Sequence, residues 1–319
     1  MKRIHVVAAV IERDGHILIA RRHDHVHQGG KWEFPGGKVE PQEPVQTALC
    51  RELEEELGIQ AICFEPLITV AHDYVDKQVL LDVWRVTEFD GQAIGAEGQE
   101  IRWTSPHSLS EFEFPDANVP IVSAAQLPRH YVITPSLDDS VAAFCGGFRR
   151  ALEAGYRLFQ LRIKEALSAQ DTAQLVSAIS AMKQEHDAWV LVNSDMSDAV
   201  QSQLDGVHLT SGQLHRITSR PSQHRWVAAS CHSLSDIQQA EKLGLDFVTL
   251  SPFKPTASHP HAQPLPLTLF SQWVSAAKLP VYGLGGVAPA DLGQLVALGA
   301  QGGAGISGYW PGSKGSEAQ

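Results

Sequence analysis

Apolar and polar residues alternate in short runs along the first third of the chain, and a period of two is typical of half-buried strands. The runs predict strands at 5–11, 16–20, 66–71 and 78–86. Asp14-Gly15 separates the first two runs, which predicts a tight hairpin turn between them. A last helix of this region is predicted at 117–125.

Between residues 44 and 57 the apolar positions follow a helical period, and nothing in this stretch breaks a helix. Leu49, Leu53 and Leu57 recur every four residues, so they form one apolar stripe that the helix can bury. Gly58 follows directly, and glycine commonly ends a helix at this position. The pattern therefore predicts an amphipathic helix with one buried side.

Three acidic residues, Glu52, Glu55 and Glu56, share another face of this helix, where we expect them to be exposed. Like charges at this spacing destabilise a helix by roughly a few tenths of a kcal/mol. A divalent cation removes the repulsion, because Mg²⁺ takes carboxylate oxygens as ligands. The alternative is a solvated acidic face. The metal-binding interpretation is favoured by residues at fixed offsets from the run: Gly36, Gly37, Glu43, Arg51 and Gly58.

After residue 129 short apolar runs alternate with helical stretches. The runs lie at 131–134, 158–162, 189–192, 206–209, 226–229, 247–250, 281–284 and 303–306. Such alternation predicts a (β/α)₈ TIM barrel, in which functional side chains follow the C-terminal ends of the strands. The change of pattern predicts two domains, at 1–126 and 130–319.

The composition fits two globular domains, with 319 residues of which 43% are hydrophobic. The net charge of −11 argues against a nucleic acid polymer as partner, although not against one nucleotide carried with its metal ion. Four cysteines without zinc-finger spacing predict reduced thiols in a cytoplasmic protein. The apolar runs are too short for a membrane span, so no membrane partner is expected.

The spacing of residues 36–59 resembles, without departure, the signature of the Nudix hydrolases, which cleave nucleoside diphosphates linked to another moiety. The resemblance implies an α/β/α sandwich and a bound Mg²⁺, for which Mn²⁺ can substitute. It implies that metal is held by Gly37, Glu52, Glu55, Glu56 and Glu97. Glu97 would be an additional ligand or the base that takes a proton from water. Arg51 would orient the carboxylates, since its planar fork matches them.

Further landmarks resemble the MutT-type branch of that family: ARR at 20–22, WEFPGGK at 32–38, AEGQE at 96–100 and FPDANVPIV at 114–122. This resemblance implies hydrolysis of 8-oxo-dGTP to 8-oxo-dGMP and pyrophosphate, after a proton passes from water to Glu52 or Glu97. Arg22 and Asn118 would read the oxidised guanine, and Phe34 and Asp76 would line its pocket. An amide can pair with a purine edge through two hydrogen bonds. The alternative for Asn118 is a helix-capping residue.

Polar or glycine residues follow the predicted barrel strands: Gln160, Arg162, Lys164, Asn193, Ser230, His232, Thr256, Gly285 and Gly286. Together with DGVHL at 205–209 and the segment 231–256, they resemble the thiamine phosphate synthase and TenI superfamily. The resemblance implies a phosphate site at Gly285, Gly286 and the Thr256 loop. It also implies that Arg162 and Lys164 meet a pyrophosphate.

The barrel departs from the synthase pattern where that pattern has acidic Mg²⁺ ligands. Ser194 follows Asn193 in place of an aspartate, and the stretch 210–213 contains no acidic residue. We therefore expect binding of a thiamine-related phosphate without efficient synthesis. One alternative is a thiamine-pathway enzyme, a synthase or a thiazole tautomerase using His232, with an accessory Nudix domain. Another is a barrel without chemistry that binds a ligand or forms a homo-oligomer.

Overall fold

A computed structural model of the chain describes residues 3–74, 77–137, 140–163, 167–256 and 263–311. The chain divides into two compact units, Met1–Leu127 and Pro128–Gln319. Two residues with predicted roles, Asp76 and Lys164, lie outside the described residues. No helix in the described ranges is both long and apolar enough to cross a bilayer.

The first unit is built on one six-stranded mixed sheet. Its elements in chain order are β1 (Arg3–Arg13), β2 (His16–Arg21), β3 (Trp32–Glu33), α1 (Val45–Leu57), β4 (Gln60–Asp73), β5 (Gln78–Asp90), β6 (Ile101–Thr104) and α2 (Val119–Gln126). The strand order is β3-β2-β1-β5-β4, with β6 paired to β2. Only the central β1–β5 pair is parallel. The hairpin predicted at Asp14-Gly15 is confirmed, with both residues at positive φ.

Alternation along β1 decides which side chains meet each helix. Ala8 and Val10 belong to a core shared with α2, whereas Val7, Ala9 and Ile11 belong to a core shared with α1. The leucine stripe of α1 is fully buried, as predicted. One helix on each face of the sheet makes an α/β/α sandwich, and this prediction is confirmed.

The observed strands of this unit extend beyond the predicted ones, and two elements differ in their limits for a local reason. Strand 66–71 is part of the longer β4, whose register against β5 shifts near Cys63 and Pro66, and such irregularities interrupt the alternation that marks a strand. The last helix starts at Val119, after a 3₁₀ turn at Asp116–Asn118, because Pro120 is suited only to the first turn of a helix.

The second unit is a closed barrel of eight parallel strands, which confirms the TIM barrel. Its strands are β7 (His130–Ile133), β8 (Leu158–Leu161), β9 (Trp189–Asn193), β10 (Gly206–Leu209), β11 (Trp226–Cys231), β12 (Phe247–Leu250), β13 (Val281–Leu284) and β14 (Gly302–Gly305). Its helices are α3 (Val141–Glu153), α4 (Ala169–Glu185), α5 (Asp198–Gln201), α6 (Ser211–Leu214), α7 (Leu234–Lys242), α8 (Leu267–Ala276) and α9 (Leu292–Ala297).

Tyr309 and Trp310 are buried beside β14. A Cβ at Gly147 of α3 would lie 2.6 Å from the Trp310 ring, and one at Gly305 would lie 2.7 Å from the Tyr309 ring. Glycine is therefore needed at both positions so that the two aromatic rings can pack against the barrel.

Aromatic rings and polar side chains form successive layers inside the barrel. Tyr131, Phe247 and Tyr282 contact one another, with ring centroids 5.3–5.8 Å apart. Nearer the C-terminal ends of the strands the interior becomes polar, with buried Gln160, His208 and Thr249. This end of the barrel is called the barrel mouth below.

Candidate active site and ligand site

The Gly36-Gly37 segment joins the sheet of the first unit to the acidic helix. Pro35 and Gly37 accept hydrogen bonds from the N–H groups of Ala9 and Val7, at 2.8 and 2.9 Å. Gly36 has φ +146°, and a Cβ there would overlap the Val7 carbonyl oxygen. A Cβ at Gly37 would overlap the Glu52 carboxylate. Only glycine lets the backbone approach both elements so closely.

Arg51 forms hydrogen bonds to three carboxylates, those of Glu43, Glu52 and Glu55. Its Nε and Nη2 donate to the two oxygens of Glu43, at 3.0 and 2.9 Å. Its Nη1 donates to Glu52 at 2.8 Å and to Glu55 at 3.2 Å, and Nη2 also reaches the Lys38 carbonyl at 3.1 Å. The hydrogen bonds from Arg51 hold the pKa of Glu43 below its ordinary value. Arg51 therefore contacts carboxylates rather than open space, as its fork geometry suggested.

The expectation that all three helix carboxylates are exposed is wrong for two of them. The Glu52 side chain is only 13% exposed and Glu56 is half-buried, whereas Glu55 is 56% exposed. The Gly36-Gly37 segment covers Glu52 and Glu56. Gly37 lies against the Glu52 carboxylate, and the Gly36 N–H donates to Glu56 Oε2 at 3.0 Å. Helical spacing shows which side chains share a face but cannot show that a distant loop will cover that face.

Negative charge accumulates around Glu56. Burial first, and then the nearby carboxylates of Glu33, Glu97 and Glu52, raise its pKa to about 8 against the opposing effect of the Gly36 N–H. Such an environment disfavours a further negative charge unless a cation is added. The pattern of oxygen donors therefore suits a hard divalent cation.

The loop that carries Glu97 is fastened to the end of α1. Ala96 N–H and the Gln99 side-chain amide both donate to the Glu56 carbonyl, at 2.9 and 2.8 Å. The Gln99 amide oxygen in turn accepts from Glu97 N–H at 3.0 Å. Glu97 itself is exposed. The sequence shows Gln99 in AEGQE but does not show its role in placing Glu97.

Within the part of the chain that the structure describes, no three His, Cys, Asp or Glu side chains form a ready-made metal-binding group. Glu52 and Glu55 each direct one oxygen to Arg51. Glu55 and Glu97 are exposed, so their side chains can rotate toward Glu52 and Glu56. The assignment of these four carboxylates and Gly37 as metal ligands stays a prediction.

A cavity of about 270 Å³ opens beside the Gly36-Gly37 segment and contains three of the predicted base-reading residues, Arg22, Phe34 and Asn118. Phe34 is buried and stacks on Phe114 with ring centroids 5.4 Å apart. Arg22 forms an ion pair with Glu33. Burial raises the pKa of Glu33, although the Arg22 guanidinium opposes the shift.

Asn118 lies at the N-cap position of α2, yet its side chain makes no capping hydrogen bond. Asn118 is one of the residues that line the cavity. The helix-capping alternative for Asn118 therefore lacks the contact that defines it.

Other lining residues of the cavity had no predicted role: His27, Gln28, Glu33, Lys38, Tyr74 and Lys77. Tyr74 lies beside His27, with ring centroids 5.3 Å apart. Glu33 and Lys38 belong to the WEFPGGK motif, and the other four come from loops outside the motifs. Membership of that motif was the one signal that could have indicated Glu33.

At the barrel mouth the predicted phosphate elements meet. Gly285 and Gly286 adopt φ of +101° and +63°, a region that favours glycine. Lys254 N–H donates to the Gly285 carbonyl at 2.9 Å, which joins the glycine turn to the loop that continues to Thr256. Thr256 is half-buried, and the loop continues into residues outside the described ranges.

The positions where the synthase pattern has acidic residues contain neutral side chains that bond to one another. Ser194 Oγ donates to Gln213 Oε1 at 2.7 Å, and Thr210 donates to the same oxygen through both its N–H and its hydroxyl at 2.8 Å. Asp195 is exposed. No group of three or more His, Cys, Asp or Glu side chains that could hold Mg²⁺ is found here among the described residues.

His232 follows β11 and is exposed at the barrel mouth. Its Nδ1 lies 3.1 Å from Ser251 Oγ and 3.2 Å from the Ser251 carbonyl, and its backbone N–H donates to Asp236 at 2.8 Å. No described residue hydrogen-bonds its Nε2, which leaves that nitrogen available for a hydrogen bond to a ligand.

A buried hydrogen-bonded row beneath the mouth was not predicted. Tyr131 Oη lies 3.0 Å from His208 Nδ1, and His208 Nε2 lies 2.9 Å from Ser230 Oγ. Two further buried oxygens, Asn193 Oδ1 and Thr249 Oγ1, have no hydrogen-bond partner among the described residues. Buried polar atoms without partners are rare in folded proteins, so they favour a bound ligand at this place.

Comparison with known families agrees with both folds. Residues 6–124 match the NUDIX domain family, and residues 130–309, more than half of the chain, match the thiamine monophosphate synthase (TMP-TENI) family. The chain therefore belongs to both families: a Nudix hydrolase domain is followed by a barrel of the thiamine monophosphate synthase family. Both predicted resemblances are confirmed.

Individual relatives cover one unit each. The CTP pyrophosphohydrolase of Escherichia coli is 43% identical over 124 residues, 39% of this chain and 92% of that protein. The 8-oxo-dGTP diphosphatase of Escherichia coli is 35% identical over 124 residues, 39% of this chain and 96% of that protein. The putative thiamine-phosphate synthase 2 of Aquifex aeolicus is 34% identical over 183 residues, 57% of this chain and 97% of that protein.

Replacing Arg51 by lysine should weaken both metal binding and turnover by about ten- to a hundredfold, because lysine cannot hold Glu43 and Glu52 with one planar fork. Mn²⁺ binding, followed by electron paramagnetic resonance, and pyrophosphate release from a nucleoside triphosphate measure the two effects. Arg102→Lys is the matched control, since Arg102 pairs with Glu100 on the surface. Equal Mn²⁺ affinity in the Arg51 and Arg102 variants would contradict the role of Arg51.

Proposed function

We propose that the first unit is a nucleoside triphosphate pyrophosphohydrolase that prefers 8-oxo-dGTP to dGTP. The observation that carries this proposal is the shared Gly36-Gly37 segment. It borders the carboxylates of α1 on one side and lines the cavity of Arg22, Phe34 and Asn118 on the other. A triphosphate at the carboxylates would therefore place its base in that cavity.

The residues of this site would have three roles: holding a cation, positioning the carboxylates and accepting a proton from water. When bound, a divalent cation neutralises the triphosphate and acidifies water at the reacting phosphorus. Glu52, Glu55 and Glu56 would hold that cation, with Arg51 fixing the first two. Glu97 would take the proton from water, because Glu52 already accepts a hydrogen bond from Arg51. The water oxygen bonds to phosphorus as the P–O bond to pyrophosphate breaks, leaving a nucleoside monophosphate.

A pyrimidine triphosphate is the second candidate substrate, supported by the relative that is named a CTP pyrophosphohydrolase. The cavity favours the purine. Asn118 has an uncommitted amide, which can both donate and accept along a purine edge. Phe34 supplies a flat apolar surface close to the Arg22–Glu33 pair.

Replacing Glu56 by glutamine should lower pyrophosphohydrolysis by at least about a hundredfold, because it removes a charged metal ligand while leaving an acceptor for Gly36 N–H. The measurement is pyrophosphate release with saturating Mg²⁺, together with the unfolding midpoint in urea. Glu54→Gln is the control, since Glu54 is exposed on the same helix. Near-normal turnover of the Glu56 variant would overturn the assignment of the acidic helix.

Replacing Asn118 by alanine should reduce the preference for 8-oxo-dGTP over dGTP more than it reduces dGTP turnover. A site built to hydrogen-bond one base pattern discriminates by leaving polar groups unpaired with the wrong base. The ratio of kcat/KM for 8-oxo-dGTP, dGTP and CTP measures the effect. Equal losses with all substrates would make Asn118 structural, and a wild-type preference for CTP would favour the second candidate.

For the barrel we propose binding of a thiazole phosphate or thiamine phosphate without efficient synthesis of thiamine phosphate. Binding is supported by the Gly285-Gly286 turn, which lets backbone N–H groups approach a phosphate. It is also supported by the partnerless oxygens of Asn193 and Thr249. Weak synthesis is expected because Ser194, Thr210 and Gln213 form a neutral cluster where a pyrophosphate-releasing enzyme needs Mg²⁺ ligands.

The chain should release heat on titration with thiazole phosphate, yet form no thiamine phosphate at ordinary enzyme rates from thiazole phosphate and the pyrimidine pyrophosphate with Mg²⁺. Calorimetry tests the predicted binding, and chromatographic product analysis tests the predicted lack of synthesis. Rapid formation of thiamine phosphate would overturn the prediction that the barrel does not synthesise it efficiently. Absence of both heat and a thermal shift with either phosphate would leave the barrel without a ligand role.

A further inference from the structure

In the buried row Tyr131–His208–Ser230 beneath the barrel mouth, the donor and the acceptor of each hydrogen bond can be assigned. Tyr131 is fully buried, and His208 Nδ1 at 3.0 Å is the one hydrogen-bond partner of its hydroxyl among the described residues. A buried donor without an acceptor costs roughly 1–3 kcal/mol. Tyr131 therefore donates its proton to Nδ1, which must be the unprotonated nitrogen of the ring.

The hydrogen bond from Tyr131 determines which nitrogen of His208 carries the proton, and so the direction of the hydrogen bond to Ser230 on the neighbouring strand. Burial, and after it the charge of Arg162, lowers the pKa of His208 to about 3, so the ring is neutral at physiological pH. A neutral imidazole has one N–H, and with Nδ1 accepting, that N–H is at Nε2. Nε2 then donates to Ser230 Oγ at 2.9 Å.

The Ser230 hydroxyl oxygen accepts a hydrogen bond from His208, while its own O–H donates to no described residue. Its oxygen accepts from His208, so its own O–H cannot point back to that ring. The side chain is half-buried at the C-terminal end of β11, where the barrel opens. Its hydroxyl therefore faces a ligand at the mouth as a donor.

We propose that Tyr131 and His208 are positioning residues that make Ser230 a hydrogen-bond donor to an anionic oxygen of a phosphorylated ligand at the barrel mouth. The inference rests on the proposed ligand of the barrel and adds the reason for its recognition. An oxygen that only accepts, as in a phosphate, matches a hydroxyl held as a donor. The nearby Arg162 adds positive charge for the same ligand.

The ring tautomer is the direct test, and it needs no ligand. Nitrogen NMR of the full chain labelled at histidine distinguishes Nε2–H from Nδ1–H and from imidazolium, and His208→Gln assigns the signal. The neutral Nε2–H form is expected at neutral pH. Tyr131→Phe should release the ring into a mixture of tautomers. Tyr282→Phe is the matched control, because Tyr282 belongs to the same aromatic layer but donates to the Pro128 carbonyl. An Nδ1–H or imidazolium signal in the wild type would overturn the proposal.

Calorimetric titration of the full chain with thiazole phosphate and with inorganic pyrophosphate tests the donor role. Ser230→Ala should weaken binding about tenfold or more, since a hydrogen bond to a charged group is lost, and Tyr131→Phe about threefold. Tyr282→Phe should bind as the wild type does. Unchanged affinity in Ser230→Ala overturns this inference alone. Absence of binding by the wild type overturns the proposed barrel ligand, and with it the donor role.

Discussion

Balance of charge on the inner face of α1 is the constraint on which the first unit depends. The helix brings carboxylates together, and the Gly36-Gly37 segment then covers two of them. Arg51 offsets part of this charge through direct hydrogen bonds to Glu43, Glu52 and Glu55. Burial, together with the carboxylates that surround Glu56, raises its pKa to about 8. The site thus keeps a demand for a cation that the fold itself does not satisfy.

The same glycine segment borders both the carboxylates of α1 and the cavity that contains Arg22, Phe34 and Asn118. Its carbonyl groups pair with β1, so the carboxylates and the cavity are positioned from one strand. A Cβ at Gly36 would overlap the backbone of β1, and a Cβ at Gly37 would displace the Glu52 carboxylate. For the proposed nucleotide, one short piece of backbone would therefore set the positions of both the phosphates and the base, which would limit its geometries.

The barrel combines the glycine turn of the proposed phosphate site with neutral side chains at the positions where the synthase pattern has acidic residues. Its glycine turn and strand-end polar residues remain, while the acidic positions are replaced by a neutral Ser–Thr–Gln cluster. Beneath the mouth, Tyr131 and His208 hold Ser230 in one hydrogen-bonding orientation. Buried polar networks of this kind specify orientation strongly, because each reversed bond would leave an unsatisfied group.

The sequence by itself determined the two folds, the limits of α1, the acidic helix face and the glycine turn of the barrel. Those features depend on short-range periodicity and spacing, which a linear chain displays directly. Only the tertiary structure decided that Glu52 and Glu56 are covered, that Glu33 joins the cavity, and that Asn118 does not cap its helix. It also decided that Tyr131 and His208, 77 residues apart, share a hydrogen bond. Contacts between distant segments arise when the sheet packs and the barrel closes, and no local pattern records them.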